Sequence, residues 1–233
     1  MGVNSTFSKP LKNAIAHGLN FLPRAARSKA KYMIENAFWR KVLKESNHKF
    51  YNGHMERAFT EVFQLDKSFY ENKKILDIGC GPIGTLEWAD NAQERIGVDP
   101  LADSYLKMTQ GKQKMKYVHA NAENLPFEDD FFDVVSIFNA LDHVDNVDEA
   151  VSEACRVVAP GGTFLLIVEL NHKPTVTEPH SIDKTILDKF RFDVIFEQTY
   201  ALRDDHNVYG SLFDAVPPSD PNAPAIMCAR MAT

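Results

Sequence analysis

Lys73-Lys74-Ile75-Leu76-Asp77-Ile78-Gly79-Cys80-Gly81-Pro82-Ile83-Gly84 is the stretch on which the fold turns. Ile75–Ile78 has the length and apolar content of a buried strand, and it ends in a glycine-rich turn. Gly79 and Gly81 lack the Cβ atoms that would block a ligand. Gly84 is expected to let a following helix start close to the strand. Two features turn this motif away from a dinucleotide. Asp77 aims a carboxylate at the turn, where it would repel a pyrophosphate and suit a cation. Pro82 removes a backbone N–H that a phosphate would use.

Downstream of this turn the pattern repeats. Short apolar runs at Arg95–Val98, Met115–Val118, Val134–Phe138 and Thr163–Val168 alternate with helical spacing, and Asp193–Phe196 and Ala225–Ala229 add two more. Alternating strands and helices predict an α/β protein with a parallel sheet covered on both faces. Between the last two runs, residues 203–224 are rich in Asp, Pro and Asn and are expected to form a long functional loop. Upstream, three helical stretches are predicted. The first uses Leu11, Ala14, Ile15, Leu19 and Leu22. The second places Met33, Ile34, Ala37, Phe38 and Leu43 on one face, and the third runs from about Asn52 to Leu65.

Several ordered motifs give the turn its meaning. The second strand closes on Arg95-Ile96-Gly97-Val98-Asp99-Pro100, an acid suited to accept hydrogen bonds from ribose hydroxyls. Tyr117-Val118-His119-Ala120-Asn121-Ala122-Glu123 follows, then Phe132–Phe138 leading into Asn139-Ala140-Leu141-Asp142-His143, and Arg156-Val157-Val158-Ala159-Pro160-Gly161-Gly162. Together they resemble the class I S-adenosylmethionine (SAM)-dependent methyltransferases, in particular the broad group with a Leu-Asp-Ile-Gly-Cys-Gly turn. The resemblance covers roughly Lys73 to Leu170. SAM, with an ammonium and a sulfonium, is the cation that Asp77 would suit.

The resemblance implies a doubly wound Rossmann-like sheet of about seven strands, mostly parallel with the last antiparallel, behind an N-terminal helical cap. It divides the chain into a basic cap, residues 1–70, and a SAM-binding domain, residues 71–233. It also implies cofactor contacts at Asp77, Gly79, Cys80, Gly81, Asp99, Pro100, Leu101, Asn121, Ala122, Glu123, Asn139 and Ala140. Asn121 stands where the family often has Asp, and its side-chain oxygen can still accept from an amino group. Residues 7–66 and 203–224 are expected to cover the acceptor pocket.

Methyl transfer needs alignment, a dry pocket and, for a hydroxyl acceptor, a base. His143 is the first candidate, followed by His172 and His180 in the loop after the fifth strand, where Glu169 and Asn171 also stand. Asp142, His143 and Asp145 do not make a separated ligand set, so no metal is expected. The fourth strand lacks an Asn/Asp-Pro-Pro-aromatic turn and the chain has no Pro-Cys dipeptide, which argues against base and amide methylation. The expected acceptor is a small molecule, sugar or glycan, methylated at oxygen. A SAM-binding regulator without catalysis is the alternative, and a dehydrogenase is disfavoured by Asp77 and Pro82.

Charge divides the 233 residues sharply. Residues 1–50 carry ten basic and two acidic side chains, a net +8, while the remaining 16 basic and 30 acidic residues leave −14. The acidic part argues against a nucleic-acid substrate. The basic head is expected either to close over an anionic acceptor or to meet an anionic membrane surface peripherally. Three cysteines without a paired framework fit a cytoplasmic protein, and no run approaches the ~20 apolar residues of a membrane span. Met1–Thr6 fits an N-myristoylation pattern, and the acid-free first 34 residues resemble a transit peptide.

Overall fold

The computed structural model describes residues 24–233. The helix expected from Leu11 to Leu22 lies outside the described residues. Helix α1 (Arg24–Glu45) leads to the short α2 (Met55–Phe59), followed by 3-10 turns at Glu61–Phe63 and Lys67–Tyr70. The sheet then builds from β1 (Lys74–Ile78), β2 (Glu94–Val98), β3 (Lys116–Val118), β4 (Phe132–Phe138), β5 (Val158–Leu170), β6 (Asp193–Ala201) and β7 (Ala225–Ala232). Helices α3 (Ala102–Thr109), α4 (Val147–Val157) and α5 (Val208–Asp214) fall between them.

The seven strands lie in the order β3-β2-β1-β4-β5-β7-β6. Pairings through β5 are parallel, and β7 runs antiparallel to both β5 and β6. Strand alternation assigns each face its own core. Leu76, Ile78, Val135, Ile137, Phe164, Leu166 and Val168 pack with α4 on one side. Ile75, Val134, Phe138, Leu165 and Ile167 pack on the other with Met55, Phe59, Phe63, Tyr70 and Leu212. Each fully buried aromatic among them contributes about 1.5–3 kcal/mol of apolar burial.

The helix expected after Gly84 does not form. Only Gly79–Gln93 separate β1 from β2, and the glycine turn consumes much of that length. The remainder folds as successive tight turns, with Glu87 N–H donating to Gly84 O at 3.2 Å and Ala89 N–H to Leu86 O at 3.1 Å. Residues from α2 to Tyr70 occupy the sheet face that a helix there would cover. The ring centroids of Trp88 and Tyr70 stand 4.9 Å apart, and those of Trp88 and Phe59 5.5 Å.

Other boundaries shift locally. The single helix expected from Asn52 to Leu65 breaks after Phe59, and Gln64 takes a left-handed φ of 55°. The segment 203–224 is not all loop, because α5 forms within it, capped by Asn207 Oδ1 accepting from Gly210 N–H. Pro160-Gly161-Gly162 lies inside the long β5, which begins beside an irregularity in the β4 register. All three cysteines are free thiols. Among the described residues no helix is long and apolar enough to cross a membrane.

Candidate functional site

Every predicted site residue falls at the carboxyl edge of the parallel strands, where α/β sheets bind ligands. β1 delivers Gly79 and Gly81, both at positive φ (75° and 57°). Gly79 and Cys80 donate their N–H groups to Val98 O at 2.8 and 3.2 Å, which ties the turn to the end of β2. Asp99 locks the arrangement: its carboxylate accepts from Gly81 N–H at 3.1 Å and Leu101 N–H at 2.8 Å. Burial, with Glu35 nearby, pushes its carboxyl up to about 7. Pro100 and Leu101 carry the chain from this acid into α3.

Asp77 differs from expectation. It is 1% exposed, and both carboxylate oxygens accept from buried hydroxyls, Thr85 at 2.5 Å and Ser136 at 2.6 Å. It braces the turn from beneath instead of facing the cleft, because β4 supplies a serine directly opposite. Burial raises its carboxyl to about 6. Glu123 is also committed to the fold, accepting from Asp145 and Asn146 N–H at 2.6 and 3.1 Å. Ala122 is buried beside it.

Asn139 and Ala140 end β4 against the glycine turn. Asn139 takes a left-handed φ of 50°, and its Oδ1 is buried without a hydrogen-bond partner. Next to it, the ends of β4 and β5 gather an acid–histidine cluster. His172 Nδ1 donates to Lys173 O at 3.2 Å, while Nε2 stands 3.2 Å from Asp142 Oδ2. That approach pairs the imidazole with the carboxylate, while Asp142 Oδ1, the other oxygen, is buried without a hydrogen-bond partner. The carboxylate holds the imidazole up to about 9, so His172 is a cation at neutral pH. Glu169 at the end of β5 is pushed up to about 7, chiefly by burial, against the opposing pull of His172.

The other two histidines are placed differently. His143 Nε2 lies 4.0 Å from Asp142 Oδ1 and 3.9 Å from Glu178 Oε1 at the rim. His180 Nε2 donates to Val144 O at 3.0 Å, which engages one ring nitrogen in holding the loop. Asn171 likewise donates to Pro221 O and Ala223 O, joining the β5 loop to the approach to β7. Among the described residues no group of three metal-binding side chains converges.

Sequence reasoning missed the part played by α1. This helix crosses the loops and turns Lys31, Tyr32, Asn36 and Trp39 toward them. Lys31, 6% exposed, donates to His143 O at 2.7 Å and pairs with Asp145 at 3.0 Å. Tyr32 Oη donates to Asn121 Oδ1 at 3.2 Å, and Ser104 Oγ donates to Asn36 Oδ1 at 3.0 Å. The Trp39 ring stands 3.6 Å from where a Gly81 Cβ would lie. The one sequence signal was the helical spacing of Tyr32, Glu35, Asn36 and Trp39, which apolar patterning ignores. The two segments expected as a cap meet each other, with Arg57 4.2 Å over the Phe213 ring and His54 4.7 Å from Tyr209.

Ligand loops gathered at one edge of a doubly wound sheet define a protein of the Rossmann-like, nucleotide-cofactor class. Residues 76–166 match the family described as Methyltransferase domain. The match over these residues, with the curated relatives below, supports a class I SAM-dependent methyltransferase domain with S-adenosyl-L-methionine as its cofactor.

Among curated proteins, it is 36% identical over 156 residues to the ubiquinone/menaquinone biosynthesis C-methyltransferase UbiE of Shewanella pealeana, covering 61% of this chain and 59% of that one. It is also 36% identical over 100 residues to the uncharacterized methyltransferase YcgJ of Bacillus subtilis, covering 40% of each chain. The chain thus spans between 40% and 59% of the length of these relatives. In fold it is similar to a possible histamine N-methyltransferase from Thermotoga maritima, with TM-score 0.55, 18% identity, and 86% and 99% of the two chains covered. The [4+2]-cyclase SpnF is similar as well, with TM-score 0.58, 15% identity, and 76% and 79% covered. A cyclase on this architecture shows that the fold alone does not choose the reaction.

The residues present fit SAM. Asn139 Oδ1 is an orphaned buried acceptor suited to an ammonium, and Gly79 and Gly81 keep the turn free of side chains. Asp99 accepts one backbone bond on each oxygen and so retains lone pairs for hydroxyl donors.

Proposed function

We propose that the protein transfers a methyl group from SAM to a small phenolic or hydroquinone acceptor, with Glu169 as the general base. The observation that carries this reading is the buried His172–Asp142 ion pair with half-buried Glu169 at the ends of β4 and β5, one carboxyl being poised near neutral pH. SAM supplies an electrophilic methyl on a sulfonium. The glycine turn, Asp99, the Asn121–Ala122 corner and Asn139 are the residues that would hold it, with Asp99 toward the ribose and Asn121 toward the adenine amino group.

The chain's own chemistry lies in moving protons. Glu169, ionised above about pH 7, takes the acceptor's hydroxyl proton, and the His172 imidazolium steadies the anion that results. Once the ring carbon is methylated its displaced proton is lost to solvent, and the oxyanion takes its own proton back from Glu169. A base of this strength is better matched to a phenol, with a pKa of about 10, than to a sugar hydroxyl, which lies higher still. The relatives named as quinone-pathway C-methyltransferases support the same choice, with a ring carbon rather than oxygen as the methylated atom. Of the small molecule, sugar or glycan expected from sequence, this reading keeps the small molecule and puts carbon in place of oxygen. A lipophilic acceptor of this kind would also bring the protein to a membrane surface.

Incubation with methyl-labelled SAM and a panel of hydroquinones, phenols, monosaccharides and nucleotide sugars tests the reading. Label is expected on the aromatic set, at carbon by NMR of the product. Label on sugars alone, or SAM binding with no transfer to any member, would exclude it. The cofactor assignment has its own test. Asp99→Ala should weaken SAM binding by about 1–3 kcal/mol in calorimetry, the cost of losing charged hydrogen bonds. Unchanged affinity would remove Asp99 from the ribose site.

A further inference from the structure

The outward face of α1 takes no part in the site. Met33 is 65% exposed, Ile34 41% and Phe38 43%, with Ala37 exposed between them. Positions 33, 34, 37 and 38 form one stripe on a helix. Exposed Arg27, Lys29, Arg40 and Lys44 flank it. The opposite face packs Lys31, Tyr32, Asn36 and Trp39 against the cofactor loops. At its middle the helix thus turns Lys31, Tyr32 and Asn36 inward and a short apolar stripe outward, where an ordinary amphipathic helix would bury that stripe.

We propose that this face docks the protein on an anionic lipid bilayer, with Met33, Ile34 and Phe38 entering the interface and Arg27, Lys29, Arg40 and Lys44 meeting the phosphates. Charge complementarity points to this occupant. The first 50 residues carry +8 and the rest −14, so a negative surface attracts the helix and repels the body, presenting this face first. Apolar side chains ringed by basic ones are the composition of an interfacial helix. A nucleic-acid backbone would use the charges and leave the central stripe in water.

The inner contacts of α1 are already made, so docking costs the fold nothing. A shallow, mainly apolar groove of about 330 Å³ opens on the same helix, lined by Met33, Tyr32, Asn36 and Leu101. Leu101 is the residue whose N–H caps Asp99. The docking face is thus continuous with the approach to the cofactor loops. The proposal rests on the lipophilic-acceptor reading only for its purpose, and its test involves no methyl transfer.

Sedimentation of the full chain with phosphatidylglycerol-containing vesicles, with pure phosphatidylcholine vesicles, and with no lipid decides the matter. Strong binding is expected to the anionic vesicles alone, and it should be lost at high salt. The M33E/I34E pair should lower binding roughly tenfold or more, and so should the K29E/K44E pair, with unchanged circular dichroism and melting. Absence of binding to anionic vesicles overturns the proposal. So does binding that K29E/K44E abolishes and M33E/I34E leaves intact, the pattern of a general polyanion site. A dimer in lipid-free sedimentation velocity that M33E/I34E dissolves, without vesicle binding, would give the face to a second copy and equally overturn it. Transfer to a water-soluble hydroquinone, measured in parallel, is expected to survive in an I34E/F38E pair, whose side chains lie outside that groove. Its loss in every form, with docking intact, would count against the acceptor reading alone.

Discussion

Glu169→Gln is expected to lower kcat by about 10²–10⁴-fold while leaving SAM affinity within a factor of about two, the range for removing a general base that does not touch the cofactor. The pH profile carries the sharper signature. A base works when ionised, so kcat should rise with pH through about 7, the value to which burial pushes this carboxyl. In the glutamine variant that acid limb should vanish. Loss of activity with the limb retained would assign the limb to another group and Glu169 to packing.

Stability gives an independent check with a definite sign. The folded-state carboxyl is raised above its ordinary value, so its contribution is fully present below about pH 4.5 and is lost as pH rises through about 7. Above that, the wild type carries a half-buried charge that the neutral amide does not. Glu169→Gln should therefore melt no lower than wild type at pH 8, and lower only in acid. His172 follows the same direction at higher pH. Its cationic form is favoured beside Asp142, so that contribution is present below about pH 6.5 and fades toward pH 9.

Gly79→Ala should be the most damaging single-methyl change in the cofactor turn. Gly79 has φ +75°, and a Cβ built there overlaps the Ala140 side chain at the end of β4. The left-handed backbone costs about 1–2 kcal/mol for an L-residue, and overpacking adds about 1–3 kcal/mol. Together these amount to a substantial share of the ~5–15 kcal/mol that holds a domain folded. Calorimetry should show a lower melting temperature and loss of measurable SAM binding, because the β1 and β4 loops must separate. Gly161 tests the reasoning: its φ is also +75°, yet nothing lies within 4 Å of where its Cβ would stand. Gly161→Ala should therefore cost only the backbone part. Ala140→Gly should recover much of the loss in Gly79→Ala, a coupling that a damaged turn alone would not show.

The strands were legible because each is a local apolar run with turn residues at its ends. Ile75–Ile78 is the clearest case, since its glycine turn announces the fold as well as the strand. Their order was not legible. That β7 inserts between β5 and β6 depends on pairing such as Leu166 with Ala229, which no local pattern encodes. Nor did glycine spacing disclose that turns would replace a helix after Gly84. That outcome depends on Phe59 and Tyr70, from an earlier segment, taking the space beside Trp88.

The site divides along the same line. The placement of Gly79, Gly81, Asp99 and Asn139 at strand ends was readable, because each directly follows or nearly follows a local apolar run. The inward turn of Asp77 and the acid–base standing of Glu169 and His172 were not, because burial and neighbours set them. Lys31 shows the reason most plainly. In the sequence it belongs to a basic face bound for solvent, yet it is buried by partners 112 and 114 positions away, His143 O and Asp145. Local pattern and composition sufficed for the α/β class, the glycine turn and the separation of a basic head from an acidic body. Long-range packing settled which residues of α1 meet the strand-end loops, Lys31, Tyr32 and Asn36, and which are left in solvent, Met33, Ile34 and Phe38. Short-range patterning records which side chains share a face, whereas long-range pairing and desolvation select the face that is buried.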